Sequence, residues 1–400
     1  FLDKVPRTLE LCSEIDLAPV RANAAAKKRY VFSEGVLHKL PEKPPEFLTS
    51  KLLSVPGRLR VIGEIFAGRA RKDDETLAEF GTRHLGREAF EKLIDPMASG
   101  VFAGDARRMS LKSCFPRMRE LEDGYGSLIR ALISLQKAAR KSGNKNRPGP
   151  SPGGTLTSFE DGMAAMTDAI SGELGDRLQL GCGVERIGHD GKSWRLSLQD
   201  GTEQSFDTVV LSCPAYSQSA MLSGFDDELA ELVGGIAYPA LSVVCLGYDR
   251  KDLGDEMDGF GFLVPSREQR EILGTVADSY VFPNRAPEGK VLLRTMIGGA
   301  RSPERASYAD ERLLDVVRSN LRGIMGVDAD PEFAKIYRHQ RAIPQYLVGH
   351  ADRLAAIEKR LESHAGLYMS GNAFRGVSLN DCIVNAQNVA EVLLAKKKPA

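Results

Sequence analysis

Residues Gly366 to Ala395 read GLYMSGNAFRGVSLNDCIVNAQNVAEVLLA. The stretch opens on a short apolar strand, Leu367-Tyr368-Met369, that stops at Gly371. A crossover carrying Gly376 follows, and Ser378-Leu379-Asn380-Asp381 starts an amphipathic helix. Ser378 and Asp381 have the three-residue spacing of a capping box. Ile383, Val384, Ala386, Val389, Ala390, Leu393 and Leu394 give the helix a broad apolar face. Strand, glycine, loop and capped helix together aim backbone N–H groups and the positive end of a helix dipole at something electron-rich. Ordinary strand-to-helix turns share this form, so the detail of the residues has to decide.

The rest of the chain sets the frame. Four hundred residues, 42% of them hydrophobic, suffice for a sizeable core and for two or three domains. The 54 basic and 54 acidic residues cancel, which removes any global electrostatic case for nucleic acid as a partner. Six cysteines (Cys12, Cys114, Cys182, Cys213, Cys245 and Cys382) are scattered singly, a pattern of buried thiols in a reducing compartment rather than a disulfide framework or zinc site. The six histidines do not cluster, so no metal is expected. No apolar run reaches the roughly 18 to 20 residues that span a bilayer, and no signal peptide is evident. Phe1-Leu2-Asp3 is not an initiator sequence, and the expectation is that a segment precedes it.

Along the chain, residues 4–15 read as a helix, and Arg29–Phe32 with Val36–His38 as a hairpin turning at Gly35. A helix-rich region runs from about 47 to 143, with helical periodicity at Thr76–His84 and Glu88–Met97. Asn144–Gly154 is a Pro/Gly-rich break. Strands are expected at Thr155–Phe159, Leu178–Ile187, Trp194–Leu198 and Thr208–Ser212, with a helix at Gly162–Leu174. A second run places strands near Leu241–Tyr248, Phe260–Val264, Thr275–Val281 and Val291–Gly298. The helix Asp310–Met325, a strand around Glu332–Arg338 and the helix Ala351–Leu361 close the chain before its final stretch. The alternation gives a fold class of α/β together with α+β, built from discontinuous domains.

The residues Gly371-Asn372 and Arg375 to Ile383 resemble the C-terminal flavin-binding motif of the protoporphyrinogen oxidase family, a branch of the amine-oxidase-like FAD enzymes. The similarity extends through Lys28–Phe32, Gly100–Asp105, Ser113–Pro116, Gly259–Pro265 and Ile343–Tyr346 with Gly349-His350. Each of these words is weak alone; their order and number carry the assignment. The resemblance implies an incomplete Rossmann-like FAD-binding domain (151–235 and 366–400), an antiparallel-sheet substrate domain (1–40 and 236–365) and an inserted helical domain (41–150) that associates with a membrane.

What the resemblance implies for single residues is specific. Val184, Gly371, Asn372, Gly376, Val377, Ser378, Leu379 and Asn380 would contact FAD, with the helix N-terminus placed where reduced flavin becomes anionic. Arg29 would pair with a propionate of a tetrapyrrole, a task suited to a planar, permanently charged fork. Phe260, Leu263 and Met296 would sandwich a macrocycle ring, and Gly100 would let the backbone approach it. No general base is nominated and no catalytic side chain is expected.

The implied activity is the six-electron oxidation of protoporphyrinogen IX to protoporphyrin IX in heme biosynthesis, with molecular oxygen as acceptor. The implied setting is cytoplasmic, peripheral to the inner membrane, and a homodimer is compatible with it. In the helical block, Leu52, Leu53, Val55, Leu59, Val61, Ile62 and Ile65 with Arg58, Arg60, Arg69, Arg71 and Lys72 are the membrane candidates. One departure stands out. The strand with G-x-G-x-x-G that opens such flavoproteins is not in these residues, and Gly181-x-Gly183 does not substitute for it. The natural protein is therefore expected to bind FAD, and this chain alone to bind it poorly or not at all. The alternatives are oxidation of coproporphyrinogen III to coproporphyrin III, and a non-catalytic tetrapyrrole-binding protein that has lost its nucleotide-binding unit.

Overall fold

The computed structural model describes residues 1–41, 44–70, 72–141, 153–254 and 258–396. Most of the expected break at Asn144–Gly154, and Arg71, lie outside the described residues. The chain divides into two compact units, one formed by Phe1–Val20, Gly154–Ala237 and Pro344–Ala400, the other by Arg21–Gly153 and Tyr238–Ile343.

The second unit is built on a seven-stranded sheet. Its edge strand Phe333–His339 pairs with Leu241–Asp249, and the order continues through Lys290–Gly298, Ile272–Ala277, Gly261–Leu263 and Arg29–Ser33 to Val36–Lys39. All neighbours run antiparallel except Gly261–Leu263 and Arg29–Ser33, which are parallel. Side chains alternate across such a sheet. On one face Phe32, Phe262, Val244, Leu246, Leu293 and Ile297 are buried against Leu313, Val317, Leu321 and Ile324 of the helix Asp310–Met325. Thr275 and Thr295 sit in this apolar layer and satisfy each other through a 2.8 Å hydroxyl contact. The opposite face carries the row Val31, Leu263, Gly274, Met296 and Val243, read directly from the register.

The first unit holds a three-stranded antiparallel sheet (Val184–His189, Trp194–Leu198, Glu203–Phe206) and a parallel pair, Val209–Leu211 with Leu367–Met369. Each strand of the pair leads to a helix, Ala215–Leu222 and Leu379–Lys396 respectively. The N-terminal helix Pro6–Glu14 packs on the C-terminal helix, and Cys12, Phe159 and Met166 form a small core against Leu379 and Ile383.

Several expected elements are corrected. The strand expected from Leu178 begins only at Val184, because Gly181 has a φ of +68°, a left-handed turn incompatible with an extended run. The strand expected at Thr155–Phe159 shrinks to Thr157–Ser158, and Phe159 turns into the core. The one expected at Thr275–Val281 runs from Ile272 to Ala277 and then becomes a short helix, Asp278–Val281. Helices Ala215–Leu222 and Asp227–Gly234 are additional. The second is announced by Asp226, whose carboxylate caps the Leu229 amide at 3.0 Å.

Candidate functional site

The crossover Ser370–Ser378 starts where two parallel strands end. Strand Val209–Leu211 continues into Ser212-Cys213, strand Leu367–Met369 into Ser370-Gly371, and the Ser370 amide still donates to Leu211 O at 2.9 Å. Gly371 has a φ of +116°, and a Cβ there would lie 3.2 Å from Ser212 O, so the close passage of the two loops requires glycine. Gly376 is stricter: at a φ of +76°, its Cβ would fall 2.3 Å from the Asp381 carboxyl carbon.

Asp381 is drawn that close by the cap. Its carboxylate accepts from the Ser378 hydroxyl (2.6 Å) and amide (3.1 Å), while Ser378 Oγ accepts from the Asp381 amide at 3.2 Å. The reciprocal cap read from the spacing is thus formed. It leaves the first amides of the helix, at Leu379 and Asn380, without an intrahelical acceptor. Burial pushes up the thiols of Cys213 and, with help from Asp381, Cys382, so neither flanks the crossover as a thiolate.

A dinucleotide crosses an open α/β sheet at the carboxyl ends of parallel strands, where helix N-termini meet its phosphates. The crossover offers two glycine cradles and a capped helix N-terminus at such a place, and these fit FAD. Gly371, Asn372, Gly376, Val377, Ser378 and Leu379 all lie on it. Asn380 follows, but its side chain is committed elsewhere, accepting from Thr8 Oγ1 (2.7 Å) and donating to Leu2 O (3.0 Å). Val184 belongs to the separate three-stranded sheet, opening its first strand beside a bulge.

In the other unit the five residues assigned to substrate converge. Leu263, Gly274 and Met296 are successive register partners on the sheet face turned away from the helix Asp310–Met325. Arg29 is the partner of Gly261 one step along, and its guanidinium carbon stands 5.3 Å from the centroid of the Phe260 ring. Gly100, in the helix Asp95–Phe102, lies over Leu263: a Cβ there would approach Leu263 Cδ2 to 2.7 Å. Among the described residues no carboxylate pairs with Arg29. Arg294, in the same cross-strand row, is held by both oxygens of Asp278 at 2.9 and 2.8 Å, which outweighs the burial that works against its charge. The arrangement is an apolar platform with one unneutralised guanidinium stacked at its rim, able to take a flat hydrophobic molecule bearing a carboxylate.

Sequence reasoning missed the side chains that hold these parts in place. Tyr346 and His350 entered only as words of the resemblance, and nothing in the sequence pointed to Gln218, Asp95 or Arg301.

The strand-end glycine turns lie in one unit and the apolar surface edged by Arg29 in the other, and the class of protein, a flavin-dependent oxidoreductase, follows from the family match. Residues 1–394 match the family described as flavin containing amine oxidoreductase, and the chain belongs to it. FAD is the cofactor that membership implies. Over 394 residues the chain is 32% identical to the chloroplastic protoporphyrinogen oxidase of Nicotiana tabacum, covering 90% of this chain and 70% of that protein. It is 28% identical over 396 residues to the coproporphyrinogen III oxidase of Bacillus subtilis, covering 96% and 83%. Among solved structures, a candidate protoporphyrinogen oxidase from Exiguobacterium shares the fold with a TM-score of 0.82 at 24% identity, covering 99% of this chain and 86% of that one. Reduced UDP-galactopyranose mutase shares it with a TM-score of 0.71 at 16% identity, covering 100% and 83%.

Proposed function

We propose that this protein oxidises protoporphyrinogen IX to protoporphyrin IX. The observation that carries the reading is the Arg29–Phe260 pair at the edge of the Leu263–Met296 platform. A porphyrinogen is a broad apolar ring with propionate arms, and the platform presents a surface for the first and a cation for the second. FAD, when bound, supplies the acceptor for the substrate's hydrogens, with molecular oxygen as terminal acceptor and peroxide as its product. The chain's own part is positioning: Arg29 grips a propionate, Phe260, Leu263 and Met296 seat the ring, and Gly100 admits it. Gly371, Asn372, Gly376 and Val377 with the Ser378–Leu379 helix start hold the flavin, and Val184 contributes backbone to its adenosine end.

A second reading, coproporphyrinogen III as the substrate, is supported by the relatives from Bacillus subtilis and Staphylococcus aureus, of which the chain spans 83% and 87%. Anaerobic mixing of the flavin-loaded protein with each porphyrinogen tests both readings. Flavin bleaching is followed before oxygen is admitted and porphyrin fluorescence after it, because one flavin takes only two of the six electrons. Faster bleaching by protoporphyrinogen IX supports the first reading, the reverse supports the second, and no bleaching by either removes both.

Membrane association belongs to the same proposal. Among the described residues no helix is long and apolar enough to cross a bilayer. The helix Val55–Ile62 nevertheless turns Val55, Leu59 and Ile62 outward, and Phe66, 84% exposed, extends the stripe. Spacings of four and three residues put Val55, Leu59 and Ile62 on one helical face, and Phe66 follows at the end of the tighter turn Gly63–Phe66. Leu52 and Leu53, in contrast, are buried, and Arg60 is spent on the carbonyls of Arg83 and His84. Arg69 is exposed near the stripe's end. The reading is a shallow, peripheral insertion into a lipid surface.

A further inference from the structure

We propose that Gln218, Tyr346 and His350 are positioning residues for the flavin, acting together as a clamp on alternate carbonyl groups of the crossover. The proposal rests on the assignment of Gly371–Leu379 to the cofactor. Gln218 Nε2 donates to Ser370 O at 3.2 Å, Tyr346 Oη to Asn372 O at 2.6 Å, and His350 Nε2 to Phe374 O at 3.1 Å. The gripped positions are every second residue across the glycine turn. Each grip comes from a different place: the helix Ala215–Leu222, the segment before the helix His350–Leu361, and the first residue of that helix.

The clamp is buried and internally fixed. Gln218, Tyr346 and His350 are all buried. Gln218 Nε2 also donates to Cys213 O at 2.6 Å, so it ties together the ends of both parallel strands. Among the described residues this orientation leaves Gln218 Oε1 buried without a partner. Turning the amide over would set its oxygen against two carbonyl oxygens, so the cost of one idle acceptor is accepted to keep both donations. The rings of Tyr346 and His350 stack at 4.2 Å with 14° between their planes, which couples two of the three grips.

The chemical consequence concerns sign. FAD carries an anionic pyrophosphate, and its reduced ring is anionic as well. A carbonyl oxygen facing either one is repulsive, whereas an N–H is attractive. Holding the oxygens of Ser370, Asn372 and Phe374 inward denies the crossover the choice of presenting them to the cofactor. A released carbonyl would weaken FAD binding and disfavour the reduced state more than the oxidised one. This gives a task to Tyr346 and His350, one residue from each of the words Ile343–Tyr346 and Gly349-His350.

The experiment compares Tyr346→Phe, His350→Leu and His350→Gln with the parent protein. It reads three quantities: the FAD dissociation constant from fluorescence titration of the apoprotein, the flavin midpoint potential, and the melting temperature of the apoprotein. Tyr346→Phe and His350→Leu should each raise the dissociation constant about five- to tenfold and lower the potential. His350→Gln, which keeps a donor for Phe374 O, should recover most of the affinity. The double variant Tyr346→Phe/His350→Leu should lose less than the product of the two singles, because the stacked rings act as one. An unchanged dissociation constant and potential beside a lowered apoprotein melting temperature would overturn the clamp and leave a structural role. The comparison is made in the natural full-length protein, and if that protein bound no FAD the flavin assignment would fall first. Parent and variants binding FAD alike sinks the clamp alone.

Discussion

Arg301 Nη1 reaches both carboxylate oxygens of Asp95, at 2.9 and 3.0 Å, and fixes the start of the helix that lies over Leu263. Asp95 is buried and also accepts the Ser266 amide at 2.8 Å. The other end of the same helix is held by the neighbouring residue of the same turn, since Ala300 donates its amide to Ala103 O at 2.7 Å. Ala103 itself has a φ of +48° and ends the helix in a left-handed turn. One short turn, Gly299–Arg301, therefore grips both ends of the helix that carries Gly100. Arg301→Met would leave the Asp95 charge buried with its guanidinium partner gone. A destabilisation of about 3 kcal/mol in urea unfolding is expected, with a raised KM because the helix no longer fixes the Leu263 surface. An unchanged denaturation midpoint together with an unchanged KM would show that the ion pair does not hold the helix.

Arg29 tests the substrate face directly. The side chain is exposed and stacks on Phe260, so its removal should leave the fold intact. A charge-assisted bond to a carboxylate contributes about 1.5–3 kcal/mol. Arg29→Ala should accordingly raise the KM for a porphyrinogen by roughly ten- to a hundredfold, with a smaller change in kcat. Arg29→Lys keeps the charge but not the planar fork, and should fall between the two. A KM for the alanine variant equal to that of the parent would take Arg29 out of the site.

How much of this was legible beforehand depended on whether a residue's role is local. The cap of Ser378 and Asp381 and the turn at Gly35 follow from spacing along a few residues, and both are present in the structure. The substrate platform is not local. Leu263, Gly274 and Met296 meet through strand register, which periodicity alone does not specify, and only the resemblance brought Leu263 and Met296 together. Gln218 reaches Ser370 across 152 positions and Arg301 reaches Asp95 across 206, so no window of sequence contains either pair. The strand that was expected from Leu178 failed for the opposite reason. Its apolar pattern extends over a long window, and the left-handed turn at Gly181 overrides it.

The exposed stripe on the helix Val55–Ile62 separates membrane contact from folding. Phe66 and Leu59 have little to lose inside the protein, being 84% and 63% exposed, whereas Leu52 is buried. Leu59→Ser combined with Phe66→Ser should abolish co-sedimentation with vesicles containing anionic lipid while leaving the melting temperature unchanged. Leu52→Ala, by contrast, should cost about 2–5 kcal/mol of stability through a core cavity. Raising the salt concentration should weaken vesicle binding of the parent protein, because Arg69 near the stripe contributes by a screened attraction. Full binding by the double serine variant would assign the stripe to some other contact.

A dependence on pH should come from Glu64. Burial alone would push its carboxyl up, but hydrogen bonds from His84, Ser127 and the amides of Ile129 and Leu128 outweigh burial and hold it at about 2. Those amides start the helix Leu128–Lys141, so the carboxylate also meets the positive end of a helix dipole. His84 is flanked on its other side by Glu122, whose carboxylate accepts from Arg83 at 2.6 Å. A depressed folded-state value means stability that is fully present above the ordinary carboxylate range and lost as pH falls towards the folded value. The protein should therefore lose stability progressively from about pH 4.5 to about pH 2. Glu64→Gln should remove the part of that slope which this carboxylate supplies. At neutral pH it should destabilise the protein by on the order of 3 kcal/mol, because His84 and the helix amides lose a charged acceptor. Urea titrations of parent and variant at pH 3, 4, 5 and 7 compare the two slopes. Parallel curves would mean that acid acts through other carboxylates, and that Glu64 is not the group anchoring the Leu128–Lys141 helix.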